Sequence, residues 1–426
     1  MKKRVDVSDL KAGMYVYDLD CPWRETPFLF QGFEITSDEE ISQLKQYCKH
    51  VYIDTDGQTG TTPQAPTSRP LARPLRVEAQ ETAQKPALRV VAEKPTAARP
   101  RRVYQDRTTV EEEAEAIKET HEQATTLIHT IMDDVHFGKS LDTTTAKTVV
   151  ASMAKSVLRN PDALICFAQL KKKDAYTALH CLRVAILALA FGRHLGFDEE
   201  GLNLLGMGAL LHDIGKMRVP DAILNKPGKL TDREFEIMKS HVPMGMKVLE
   251  NNRGIPDQAL EVARLHHERY SGTGYVSKLK SDQISQFGLI GAIVDVYDAI
   301  TSDRIYQDGI SALDALKKMY EWRQRDFHPA LVEQFIQCIG IFPIGSVVIL
   351  NTNEIGVVRT MNRTQRLKPQ VVLVLRPDRT RYHALRTVDL ARETTPGGEP
   401  YEITKVLPAG QYGIQPVEYL PVMARA

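Results

Sequence analysis

Apolar residues change their spacing three times along this chain, and each change marks a different kind of structure. In residues 1–57, VDVSDLKAGMYVYDLD and PFLFQGFEIT carry β-type apolar runs broken by Gly and Pro. DEEISQLKQYCKH then shows helical spacing at Ile41, Leu44 and Tyr47/Cys48, with Ser37 or Asp38 as N-cap. VYIDTDG closes this small α/β unit with a strand and a turn. Residues 58–106 lose the pattern: Pro, Ala, Thr, Gln and Arg dominate and large apolar residues are scarce. Such a segment buries too little to offset its ordering entropy, so it reads as a flexible linker.

From 107 to 342 the spacing is helical. TVEEEAEAIKETHEQATTLIHTIMDDVHFG is long and amphipathic. AYTALHCLRVAILALAFGRHLG reads as a buried helix, and LNLLGMGALLHDIGK is apolar all round until its His-Asp pair. Thr231 and Glu234 have capping-box spacing ahead of a helix that carries His241 at its end. After Phe342-Pro343, SVVILNTNEIGVVRT and QVVLVLRPD alternate β-branched residues with turn signals. Residues 343–426 therefore read as a small β-rich appendage. The expected architecture is multidomain: an all-α domain flanked by a small α/β N-terminal domain and a small β-rich C-terminal region.

Composition narrows the field without choosing a function. Hydrophobic content of 42% is ample for a core, and a net charge of +1 gives no strong field toward nucleic acid or membrane. The five cysteines, Cys21, Cys48, Cys166, Cys181 and Cys338, form no CxxC pair and read as reduced thiols. MKKRVDVSDL leads into no apolar signal core, and the longest apolar stretches hold ionisable residues. No membrane insertion is expected, and the cytoplasm is the expected location.

Those interrupted apolar stretches carry the chemistry. His180, His212, Asp213, His241, His266, His267 and Asp295 sit in or beside buried-helix patterns. An uncompensated buried charge costs several kcal/mol, so seven such residues make physical sense if they share a ligand. Nitrogen and oxygen donors without thiolate favour Fe, Mn, Zn or Ni. Seven donors exceed one tetrahedral ion. At least two divalent metals are implied, an arrangement typical of phosphate-ester hydrolysis. Neighbouring residues on a helix diverge by about 100°, so His212 and Asp213 can serve adjacent ions, and Asp213 is the natural bridge. Lys216 lies within a turn of that pair, where an ammonium can hold a phosphate oxygen. Asp298 and Asp303 read as structural or supporting residues. His121, His129 and His136 lie among Glu and Thr and read as exposed.

The order His, His-Asp, His, His-His, Asp resembles the HD-GYP family of cyclic-di-GMP phosphodiesterases, within the HD metal-dependent phosphohydrolases. ALLHDIGKMRVPDAILNKPGKLT, HHERYSGTGY, DVYDAITSDRIY and FHPALVEQF carry the resemblance, over roughly residues 140–340. VSDLKAGMYVYDLD looks like the uncharacterised domain found ahead of some members, with regulation or docking as its implied role. The resemblance implies an HD-type helical catalytic domain. It also implies His180, His212, Asp213, His241, His266, His267 and Asp295 as metal ligands, and two ions, iron or manganese, since Tyr176 stands where some members have a third-metal Glu. Lys216 and Arg304 match the family's nucleotide contacts. The implied reaction is hydrolysis of cyclic-di-GMP to pGpG and GMP, with Asp213 and Lys216 as the catalytic pair. Ser271 and Val276 replace the Asp and final Pro of the family's HHExxDGxGYP, and Gln307 replaces a basic residue. Ile305, Ser285, Gln286 and Leu289 depart as well. These changes bear on affinity, loop geometry and partner contacts. The competing readings are a catalytically weak cyclic-di-GMP receptor, a scaffold for a diguanylate cyclase or other signalling protein, and a hydrolase of another cyclic dinucleotide. A homodimer is compatible with each.

Overall fold

The computed structural model describes residues 2–21, 26, 33–35, 38–54, 102–169, 176–302 and 309–421, in two units, Met1–Ala97 and Ala98–Ala426. The first unit holds an antiparallel sheet of order β1-β4-β2-β3, formed by β1 (Lys2–Asp6), β2 (Tyr15–Leu19), β3 (Phe33–Glu34) and β4 (His50–Asp54). Helix α1 (Asp38–Tyr47) precedes β4 and buries Ile41 and Leu44, two of the residues that set its period. Together with Val16, Leu19, Ile35, Val51 and Ile53 they make the core of this unit. Ser37, one of the two expected caps, lies outside the described residues.

The second unit begins with an anchored lead-in. Tyr104, within the segment read as linker, donates its hydroxyl to Phe197 O at 2.9 Å. Helix α2 (Val110–His136) starts at a capping box: the Thr109 side chain accepts from Glu112 N, and the Glu112 carboxylate accepts from Thr109 N. Its buried face runs Ile117, Ala124, Ile128, Ile131, Val135 at three- to seven-residue steps. The three histidines on α2 do not share one environment. His136 is exposed, but His121 is half-buried and stacks on Phe167 at 4.6 Å, and His129 is also half-buried. The expectation of exposed histidines fails there because the partner ring comes from α4 (Pro161–Ala168), some 46 positions on, as 167 − 121 shows.

Helices α3 (Thr143–Arg159), α5 (Tyr176–Leu195), α6 (Glu199–Leu211), α10 (Asp257–Leu265) and α11 (Gln286–Thr301) build the centre of the unit. Each fully buried Leu, Ile or Phe here contributes roughly 1.5–3 kcal/mol, and α5 buries every residue from Val184 to Phe191. Thr177–Leu195 is the one stretch among the described residues long and apolar enough to cross a membrane, and 83% of that window is buried inside the fold. Helices α6 and α10 approach closely: a Cβ on Gly208 would lie 2.2 Å from Ala259 O. Short α7 (Asp221–Leu224), α8 (Asp232–Lys239), α9 (His241–Asn251), α12 (Ala312–Glu321) and α13 (Pro329–Ile339) complete the helices.

One expected helix is two. Thr231 and Glu234 do form a capping box, but α8 stops at Lys239 and His241 opens α9 instead of ending α8. Pro243 has no N–H to donate four residues back, so the ladder breaks there.

The C-terminal strands β5 (Val347–Leu350), β6 (Ile355–Thr360), β7 (Gln370–Leu375), β8 (Arg381–Asp389) and β9 (Ile403–Leu407) form an antiparallel sheet of order β8-β7-β6-β5-β9 over Val348, Val358, Val371, Leu373 and Tyr401. It is more firmly attached than the word appendage suggests. Arg363, between β6 and β7, gives Nη2 to Asp162 at 2.6 Å and Nε to Asp106 at 2.9 Å. Met361 N also donates to Asp162 at 3.1 Å, and Arg193 meets Asp106 at 2.8 Å.

Candidate metal centre

Five helices, α5, α6, α9, α10 and α11, deliver polar side chains to one buried point. His180 comes from the second turn of α5, His212 caps α6, His241 opens α9, His266 caps α10, and Asp295 lies within α11. Asp213 is not on the helix but at its joint with a 3₁₀ turn (Ile214–Arg218), with φ −106° and ψ 8°. Gly215 permits this joint: a Cβ there would lie 1.9 Å from His241 O and 2.5 Å from Gly245 N. The glycine of the HDIGK string is thus a close-approach residue between the joint and α9.

Asp213 is the hub. Its Oδ2 lies 3.5 Å from His180 Nε2 and 3.3 Å from His212 Nε2, and its Oδ1 lies 3.2 Å from His241 Nε2 and 3.7 Å from His266 Nε2. Asp295 Oδ1 is 3.0 Å from His180 Nε2 and 3.8 Å from His212 Nε2. The donors fall into two groups, Asp213/His241/His266/His267 and His180/His212/Asp213, each with ligand atoms within 4.8 Å of one another. Asp213 belongs to both. All seven residues singled out in the sequence are brought together.

The far side of each ring explains which nitrogen faces inward. His212 Nδ1 donates to Ala209 O at 2.8 Å, His241 Nδ1 to Met238 O at 2.7 Å, and His266 Nδ1 to Ala263 O at 3.0 Å. His180 Nδ1 donates to Asp298 Oδ2 at 2.7 Å. With Nδ1 turned to these acceptors, each ring presents its Nε2 to carboxylate oxygens, and His180 Nε2 lies 3.0 Å from Asp295 Oδ1. His212 Nε2 and Asp213 Oδ1 are buried and have no hydrogen-bond partner. Buried nitrogen and oxygen donors that converge on one point fit a divalent metal.

Charge reinforces the point. Burial opposes ionisation of Asp213, yet Lys216 and His212 hold its carboxyl well below the usual range. Burial likewise opposes the Asp295 charge, and His180 and His212 outweigh it. Burial would keep His212 neutral, but Asp213 raises its pKa, so the cluster draws in a positive charge. Burial pushes His266 down to about 4 and His267 well below its ordinary value, leaving both as neutral donors at pH 7. Lys216 is half-buried and its ammonium donates to Asp213 Oδ2.

Two supporting residues deserve names. Asp298, read from sequence only as structural or supporting, takes Arg183 Nε and Nη2 at 2.7 and 3.0 Å while it holds His180. Glu268 was missed, although it completes the HHE string. Its buried carboxylate accepts from the backbone N–H groups of Ser277 (2.7 Å), Lys278 (3.1 Å) and Leu279 (3.0 Å) and so shapes the loop after the GTGY string. Tyr275 of that loop stacks on His267 at 4.6 Å, with Phe235 edge-on to it at 6.2 Å and Lys239 Nζ 5.7 Å above its ring. Ser271, in the place of the family Asp, pairs its hydroxyl with Thr273 at 3.0 Å, and Val276 is half exposed. Arg304, Asp303, Ile305 and Gln307 lie outside the described residues.

A helical domain that closes His and Asp donors on one shared carboxylate is of the HD metal-dependent class. Residues 162–331 match the HD domain family, and residues 2–146 match a domain of unknown function, DUF3391. HD domains depend on divalent metal. The chain belongs to the HD-GYP family of phosphodiesterases. It is 35% identical over 373 residues to the cyclic di-GMP phosphodiesterase PA4108 of Pseudomonas aeruginosa, spanning 87% of this chain and 84% of that protein. It is also 36% identical over 162 residues to the 3′3′-cGAMP-specific phosphodiesterase 2 of Vibrio cholerae, spanning 38% of this chain and 31% of that protein. Among solved structures, the HDG"Y"P protein Bd1817 of Bdellovibrio bacteriovorus aligns with a TM-score of 0.45 and 14% identity, over 79% of this chain and 98% of that one.

Proposed function

We propose that this chain hydrolyses cyclic di-GMP to linear pGpG and onward to GMP, with two divalent cations, iron or manganese, held by His180, His212, Asp213, His241, His266, His267 and Asp295. The observation that carries the reading is the shared position of Asp213 in both donor groups, with the His180, His212, His241 and His266 Nε2 atoms turned toward it. Bound metals of this kind supply Lewis acidity and make water a nucleophile at neutral pH. The residues supply the rest. Asp213 holds its negative charge at pH 7 and fixes the spacing of the two donor groups. Lys216, already on Asp213, brings a positive charge to the rim where phosphoryl oxygens gather charge. Arg304 is the second candidate for that role. Water adds to phosphorus, the bond to the 3′ oxygen breaks, and that oxygen leaves with a proton. The setting is the cytoplasm, in second-messenger signalling beside diguanylate cyclases.

A second reading concerns the substrate. The Vibrio cholerae relative is named for 3′3′-cGAMP, and the Ser271 and Val276 departures fall in the loop whose Tyr275 stacks on His267, so a mixed cyclic dinucleotide is the competitor. The test is to load the protein anaerobically with iron or manganese and incubate it with each dinucleotide. Nucleotides are then separated by chromatography. Appearance of pGpG or GMP from cyclic di-GMP, abolished by chelation, supports the proposal. Faster cleavage of 3′3′-cGAMP shifts the substrate, and binding of cyclic di-GMP without products from metal-loaded protein overturns the enzymatic reading in favour of a receptor.

A further inference from the structure

Cys21 and Cys48 form no sequence pattern, yet the N-terminal sheet brings their Sγ atoms to 3.5 Å. Cys21 follows β2 by two residues, and Cys48 joins α1 to β4. Strands β2 and β4 pair antiparallel through Leu19 and Val51, so the backbones beneath the two thiols are fixed in register. Asp20 tightens that junction. Its Oδ2 accepts from Lys49 N at 2.9 Å and His50 N at 3.1 Å, and His50 Nδ1 lies 3.2 Å away. The two sulfurs differ in access: Cys48 is 5% exposed, whereas Cys21 is half-buried and open to a small reagent.

We propose that Cys21 and Cys48 form a modification site, a dithiol that a low-molecular-weight disulfide of the glutathione class converts to an intramolecular Cys21–Cys48 disulfide. A disulfide needs its sulfurs at about 2.05 Å, so bond formation draws the two Sγ atoms together from 3.5 Å. The step balances as two exchanges. The Cys21 thiolate attacks glutathione disulfide, forming a mixed disulfide and releasing one glutathione thiolate. Cys48 sulfur then attacks Cys21 sulfur, its proton leaves to water, and the second glutathione departs. Two protein thiols are oxidised and one glutathione disulfide is reduced to two thiols.

A metal on Asp20, Cys21 and Cys48 is the rival, since their ligand atoms also lie within 4.8 Å. It needs thiolates at both sulfurs. Burial, and then the neighbouring Cys21, raise the Cys48 thiol above its ordinary value. The Asp20 oxygen is already engaged by two N–H groups. Both facts weigh against a bis-thiolate metal site, while the disulfide stands on the sulfur separation and the fixed strand register.

The test uses the full chain and its Cys21→Ser and Cys48→Ser variants in glutathione buffers of rising oxidant fraction. Samples are quenched in acid, alkylated after unfolding and mapped by mass spectrometry. Cys21 and Cys48 should leave the alkylatable pool together, yield one cross-linked peptide, and return on reduction. Cys166, Cys181 and Cys338 should stay alkylatable. Cys48→Ser should stop with glutathione on Cys21, and Cys21→Ser should leave Cys48 a thiol. Glutathione left on Cys21 of the parent protein without the cross-link overturns the proposal. So does survival of both thiols in the most oxidising buffer. Stoichiometric zinc in the purified protein, lost in Cys48→Ser, assigns the site to metal instead.

Discussion

Asp298→Asn isolates the part of the centre that a side chain, not the backbone, holds in place. The carboxylate does two jobs: Oδ2 accepts from His180 Nδ1 at 2.7 Å, and both oxygens receive Arg183, at 2.7 and 3.0 Å. Asn has the same shape but one acceptor oxygen and no charge, so it can serve the guanidinium or the imidazole, not both. Arg183 is 5% exposed. Removing one partner of a buried ion pair costs about 3–5 kcal/mol, and the oxygen that remains places Asp298→Asn near the lower end. The second loss is orientation of His180. A carboxylate behind a metal-binding histidine is worth about 10–100-fold in metal affinity, or about 1.4–2.7 kcal/mol. The variant should therefore fold with a lower Tm. Titrated with a chelator, it should release half of its metal at a concentration about 10–100-fold lower than the parent protein. Pairing it with Arg183→Met separates the two losses: part of the stability should return because the buried guanidinium that lost its carboxylate is gone, while metal affinity should not. If Asp298→Asn keeps its metal at the parental chelator concentration, Asp298 does not orient a donor and the reasoning fails.

Other outcomes follow from the same geometry. Asp213→Ala should lose metal and turnover together, measured by elemental analysis and product formation, whereas Lys216→Ala should keep its metal and turn over more slowly. Gly215→Ala sets a methyl against His241 O and should cost about 1–3 kcal/mol, the usual overpacking penalty; unchanged denaturant unfolding would contradict the close approach. His121 tests pH dependence away from the centre. Burial lowers it to about 4 from an ordinary 6.5. Below pH 6.5 the unfolded chain takes a proton that the folded chain refuses, so His121 withdraws stability as pH falls toward 4, about 2 kcal/mol at pH 5. Urea unfolding at pH 7 and pH 5 should show that loss reduced in His121→Gln.

The seven central residues were legible because ionisable groups inside apolar helices stand out against their surroundings, and each carries the same demand for a shared cation. What surrounds them was not. The break before His241 hung on one proline inside a convincing helical period. Glu268 works through three backbone N–H groups, which any residue supplies and no pattern displays. Arg363 reaches Asp162 and Asp106 across 201 and 257 positions, and a pair so distant leaves no periodic trace in the chain. Local spacing reports faces, so the reading was sound for elements and for the polar residues that violate them. It was blind to contacts that only the folded path creates.

The helix ends that fix the imidazoles set limits on how this centre can change over time. Ala209, Met238 and Ala263 hold His212, His241 and His266 through carbonyl oxygens, and no substitution can delete a carbonyl. Three rings are thereby insulated from mutational drift in the residues behind them. His180, by contrast, leans on a replaceable side chain, Asp298. Variation in metal preference among descendants of this chain can therefore enter through the Asp298–Arg183 pair, a side-chain support that a single substitution changes.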